Sequence, residues 1–118
     1  MLDKRKFYIN GQWVEPSKKN DFDVINPSDE TVCAVISLGS QEDTNAAVTS
    51  ARAALPSWAN SSKEDRVALL ERLYSIYQRR MDEMAEVISM EMGAPIDFAK
   101  RSQAPSGTEA IEDFLIQL

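Results

Sequence analysis

One thiol and no imidazole make up the nucleophilic inventory of this chain: Cys33 is the single cysteine, and there is no histidine. Without histidine neither a Ser-His-Asp nor a Cys-His arrangement can be built, and the commonest general base is missing. Cys33 sits in Thr31-Val32-Cys33-Ala34-Val35-Ile36, an alternating strand pattern that puts Val32, Ala34 and Ile36 on one face and Cys33 with Val35 on the other. A reactive thiolate needs a cation or a helix N-terminus beside it, and nothing local supplies either, so Cys33 reads as a small apolar residue. The acidic residues Glu42, Asp43, Glu83 and Glu86 fall where helix caps and solvated faces belong; Glu91, just before Gly93 and Pro95, is the exception. The four glycines, at 11, 39, 93 and 107, are too dispersed for a phosphate-binding loop, and one cysteine cannot assemble a zinc site.

The elements that must position these residues come in a clear order. Phe7-Tyr8-Ile9-Asn10-Gly11-Gln12-Trp13-Val14 predicts a β-hairpin, since Asn-Gly suits the two positive-φ positions of a type I′ turn. Phe22 to Ile25 predicts a strand, the Asn26-Pro27-Ser28-Asp29 turn reverses it, and Thr31 to Ile36 returns antiparallel. From residue 40 the apolar period lengthens from two to about 3.6. Ser40 with Asp43, and Ser62 with Asp65, resemble capping boxes with Asp in the Glu position. Ala47, Val48, Ala51 and Leu55 share the face of a first helix that Pro56 is expected to end. Leu69, Leu70, Leu73, Tyr74 and Tyr77 form a second stripe, which Met84, Val87 and Ile88 continue toward Met92. Gly93 followed by Pro95 is a stop signal, and Ile111, Phe114, Leu115 and Leu118 predict a last helix after the interruptions at Pro105 and Gly107.

Strands first and helices after predict an α+β chain over residues 1–118, with no second domain. Hydrophobic residues make up 43% and charged residues 27% of the 118, which excludes wholesale disorder. A net charge of -6 disfavours nucleic acid, and Lys4-Arg5-Lys6 lacks the interleaved aromatics of a nucleic-acid platform. No apolar run approaches the length of a membrane span, the first residues contain no apolar h-region, and a lone cysteine fits a reducing compartment, so a cytoplasmic location is expected. Two hairpins cannot cover the apolar faces of so many helices. The chain therefore reads as a piece of something larger, or else as a stand-alone α+β interaction module that docks a partner on those faces.

In order and spacing, "FYINGQWV", "VINPSDETVCAVISLGSQEDTNAAVTSARAALPSW" and "RVALLERLYSIYQRRMDEMAEVISMEMGAPIDFA" resemble the opening of the NAD(P)-dependent aldehyde dehydrogenase superfamily. The marks are Asn10-Gly11 with Trp13, Asn26-Pro27 followed by Glu30, Glu42-Asp43 before Ala47-Val48, Ala51-Arg52-Ala53-Ala54 with Trp58, then Arg66, and Glu91-x-Gly93-x-Pro95. The resemblance implies a part of the α/β cofactor-binding domain, β-hairpins and helices that wrap a Rossmann-type sheet lying outside this chain. It implies an intact enzyme that oxidises an aldehyde to an acid with NAD or NADP, through a cysteine that no position here matches. Catalytic and cofactor-binding residues are accordingly expected to be none in this chain, and the isolated chain is expected to hold no cofactor. The expected partner is the remainder of the dehydrogenase, or other subunits, against the apolar helix faces. It also implies a structural monovalent cation, Na+ or K+, held by the carbonyls of Val24 and Ile25 and the carboxylate of Glu91. The stretch from Gln103 to Gly107 departs from the uninterrupted helix that the family shows beside its substrate tunnel, so no pocket residue is assigned there.

Overall fold

A computed structural model describes residues 1–118. Contacts divide the chain into two compact units, Met1–Asn26 with Glu30–Asn60, and Pro27–Asp29 with Ser61–Leu118.

In the first unit, the hairpin forms as its sequence predicts. Strands β2 (Phe7–Ile9) and β3 (Gln12–Val14) pair antiparallel, Phe7 opposite Val14 and Ile9 opposite Gln12. Asn10 and Gly11 take φ of 53° and 75°, the left-handed pair that a type I′ turn demands. Tyr8 and Trp13 stand directly opposite, ring centroids 5.2 Å apart, a cross-strand aromatic pair that leaves Trp13 67% exposed. A second sheet has three strands in the order β1 (Leu2–Lys4), β5 (Val32–Ser37), β4 (Asp21–Ile25). Strands β4 (Asp21–Ile25) and β5 (Val32–Ser37) are antiparallel, joined by a turn in which Asn26 N–H donates to the Thr31 carbonyl at 2.9 Å. Glu30 closes this turn at φ 58°, a left-handed conformation rare for a residue with a Cβ. Beyond the two antiparallel pairings expected, β1 (Leu2–Lys4) adds a parallel one, Leu2 opposite Ala34 and Lys4 opposite Ile36.

Helix α1 (Gln41–Ala59) opens on a complete capping box: Asp43 N–H donates to Ser40 Oγ at 3.2 Å, and Ser40 N–H donates to Asp43 Oδ2 at 2.9 Å. Contrary to expectation, Pro56 does not end it. The proline forfeits only its own N–H bond, and the next turn closes with Asn60 donating to the Pro56 carbonyl from its backbone and, at 2.9 Å, from its side chain.

The second unit is helical. Helix α2 (Lys63–Arg79) starts with the Ser62–Asp65 capping box. Arg80, at φ -110° and ψ 12°, breaks the apolar run in two before α3 (Met81–Met92), and its guanidinium pairs with Glu83 at 2.9 Å. Gly93 ends α3 in the left-handed conformation at φ 72°, its N–H donating to the Ser89 carbonyl. After the short α4 (Ile96–Phe98), residues Ala99–Gln103 form a π-helical turn, and α5 (Pro105–Gln117) begins with proline at its first position.

The core of this unit is built from small residues. Ala85, Ala99 and Ala104 are fully buried, flanked by Met81, Ile88 and Ala94. No large side chain anywhere in the chain is fully buried. Small residues let α3 and the π-turn approach closely but remove little apolar area each, while Leu55, Trp58, Leu73, Met92, Phe114 and Ile116 remain exposed.

Candidate functional site

The expected cation ligands divide between the two units. Val24 and Ile25 are consecutive at the end of β4, where the ladder is irregular: Val24 faces Ala34, Ile25 faces Val32, and Cys33 is the extra residue of a β-bulge. The bulge breaks the alternation read from sequence and buries Ala34, Val35 and Ser37 on β5. It also aims the Cys33 thiol at the neighbouring strand, where Sγ–H donates to the Val24 carbonyl at 3.2 Å. Cys33 is half-buried, and its thiol is hydrogen-bonded to that carbonyl, an acceptor that offers a thiolate no stabilisation.

Glu91 stands in the last turn of α3, exposed and in no ion pair. Within the same unit Gly93 lies against the proline of the Asn-Pro turn: a Cβ on Gly93 would fall 2.7 Å from Pro27 Cγ. Glycine is thus required twice over at position 93, by its backbone angle and by this close approach, and sequence spacing had shown only the first. No three His, Cys, Asp or Glu side chains gather closely enough to hold a metal ion by side chains alone.

A cleft of about 740 Å³ lies in the first unit beside Arg5, Trp13, Lys19 and Asp21. Most of its charges are paired with one another. Arg5 binds Asp3 through Nε at 2.9 Å and reaches Asp21 at 3.4 Å; Lys19 also lies 3.4 Å from Asp21, and Lys6 pairs with Glu15 at 3.0 Å. The hydrogen bonds from the Arg5 side chain and backbone hold the Asp3 carboxyl down at about 2, so it is ionised at neutral pH and supplies no general acid. Asp43 is likewise held below the usual carboxylate range, chiefly by the backbone N–H of Ser40 and then that of Ser17, which donates at 2.8 Å. Both acids do structural work. Neither is paired with a nucleophile.

Residues 13–117 match the model of the aldehyde dehydrogenase family. The chain is 44% identical over 108 residues to a 3-succinoylsemialdehyde-pyridine dehydrogenase of a Pseudomonas species, covering 91% of this chain and 23% of that protein. Among solved structures, an aldehyde dehydrogenase from Bartonella henselae superposes with a TM-score of 0.95 at 48% identity, over 98% of this chain and 24% of that one. A variant of aldehyde dehydrogenase C from Pseudomonas syringae, solved with NAD+ and octanal, gives 0.91 at 37% identity, over 95% of this chain and 24% of that one. The chain thus spans about a quarter of the length of the relatives it matches. It belongs to the aldehyde dehydrogenase family, as an α+β segment equivalent to the N-terminal part of those enzymes.

Proposed function

We propose that this segment serves as the N-terminal part of the cofactor-binding domain of an enzyme that oxidises an aldehyde to a carboxylic acid with NAD or NADP. The supporting observation is the match over residues 13–117 together with near-identity of backbone to the Bartonella henselae enzyme. The reacting cysteine and the residues that grip the dinucleotide would come from outside this chain, since Cys33, half-buried with its thiol on the Val24 carbonyl, is not suited to the first task. The dinucleotide accepts the hydride when bound. This segment contributes a scaffold: capped helices and hairpins whose apolar faces, among them Leu73, Met84 and Phe114, would lie against the rest of the enzyme. A cytoplasmic setting agrees with the unpaired Cys33. No helix is long and apolar enough to cross a membrane.

The scaffold would also hold a monovalent cation, Na+ or K+, through the Val24 and Ile25 carbonyls and the Glu91 carboxylate. Hard oxygen donors of this kind suit such an ion. Thermal unfolding in KCl or NaCl against choline chloride tests this: the metal salts should raise the midpoint for the natural sequence and not for Glu91→Gln.

The test of the main reading is a chimera in which residues 1–118 replace the matching quarter of the Bartonella henselae dehydrogenase. Retained NAD+-dependent aldehyde oxidation, within about tenfold of the parent, is the expected result. A soluble, folded chimera without turnover would overturn it.

A further inference from the structure

We infer that Tyr77 acts as a register lock for α5, its phenol pinning the π-helical turn so that the helix leaves that turn rotated by one residue's worth of arc. The turn is a wide one: Ala104 N–H donates to the Ala99 carbonyl, five residues back, at 2.9 Å. Pro105 comes next and has no N–H; on an ordinary α-helical path its ring would press on the Arg101 carbonyl. Widening the turn relieves that clash. It also inserts one residue, which turns everything downstream by about 100° relative to an uninterrupted helix.

Two contacts from α2 hold this arrangement. Tyr77 Oη donates to the Ala104 carbonyl at 2.8 Å, at the junction of the π-turn with α5. Its ring also lies against Gly107, where a Cβ would sit 2.5 Å from the ring carbon Cζ and 2.5 Å from the phenol oxygen. Both contacts come from one side chain and fall on both sides of Pro105. One turn earlier on α2, Tyr74 Oη donates to Glu112 Oε1 at 2.6 Å, with α5 in this rotated register. An α5 that lost the extra residue would carry Glu112 away from Tyr74.

That downstream bond gives a readout distinct from general stability. Glu112 on α5 is the charged group facing Tyr74, Gln78 on its own helix donates to the phenol at 2.8 Å, and the Glu112 bond holds the Tyr74 phenol above its ordinary value. The experiment is a pH titration of carbon-labelled tyrosine in the 118-residue chain by NMR, with hydrogen exchange read at the Ala104 amide. In Tyr77→Phe, which keeps the ring and removes the bond, the Tyr74 phenol should fall toward its ordinary value and Ala104 exchange should quicken about tenfold or more. Gly107→Ala, which pushes the ring away, should do the same, and the double variant should be no worse than the worse single one. If Tyr77→Phe stays folded and leaves the Tyr74 titration unchanged, Tyr77 is not the lock. Exchange that quickens uniformly along α2, α3 and α5 would overturn it equally. Should Gly107→Ala fail to fold, Tyr77→Phe alone decides.

Discussion

Asp43 carries more than its place in a capping pattern suggested. Its carboxylate accepts from the N–H of Ser40 and of Ser17, so it closes α1 and ties down the loop before β4 together. With its folded value below the ordinary 3.8, its stabilisation is complete above that value and is lost as pH falls through the folded one. Asp43→Asn should therefore lower stability at neutral pH and flatten the acid side of the stability curve below about pH 4, measured by denaturant titration at several pH values. Asp3, held at about 2, would shape the same limb, though its exposure makes it the weaker contributor. The capping role was legible because Ser-x-x-Asp is a local pattern. The Ser17 bond joins positions 26 apart and leaves no trace in spacing. Cys33 was legible as structural for the same local reason, but the bulge that points its thiol at Val24 was not. Replacing it with alanine should cost about 1 kcal/mol, read from the urea midpoint.

Element boundaries followed local chemistry wherever one residue fixed the backbone. Asn10-Gly11, the two Ser-x-x-Asp boxes and Gly93 all stand where their side chains or lack of one predicted. Gly93→Ala should be severe, about 2–3 kcal/mol by thermal or urea unfolding, because it adds a left-handed penalty to a contact 2.7 Å from Pro27. Gly11→Ala, where nothing lies within 4 Å, should cost only the backbone term of about 1 kcal/mol, and the difference between the two variants isolates the contact. The failures of sequence reading were non-local. Strand β1 is three exposed residues beside a basic run, and only its partner β5 makes it a strand. Pro56 was overruled by the Asn60 cap, and the break at Arg80 interrupts a stripe whose apolar spacing never faltered. The π-turn, whose interruption Pro105 marked in the sequence, is held by Tyr77, some 27 positions away from the carbonyl it binds.

At the scale of the whole chain, the surplus of apolar faces foreseen from periodicity is present: α2 buries no residue, and Ile116 is 82% exposed. Contiguous apolar surface of this kind has consequences in water. The isolated chain should bind a hydrophobic dye and self-associate with rising concentration, as light scattering after size exclusion would show; a monomer with a sharp cooperative transition would contradict this. Why the faces exist could be read from the pattern. Which of them touch one another could not, because the stripes of α2, α3 and α5 are alike in composition.

The two tryptophans, Trp13 at 67% and Trp58 at 48% exposure, give these surfaces an optical consequence. Their indoles already sit largely in water, so the folded chain should emit at the long wavelengths usually taken as a mark of denaturation. Unfolding it would hardly shift the colour. A blue shift would instead report that something has come to lie over β3 or α1, which makes the intrinsic emission of this chain a gauge of association and not of folding.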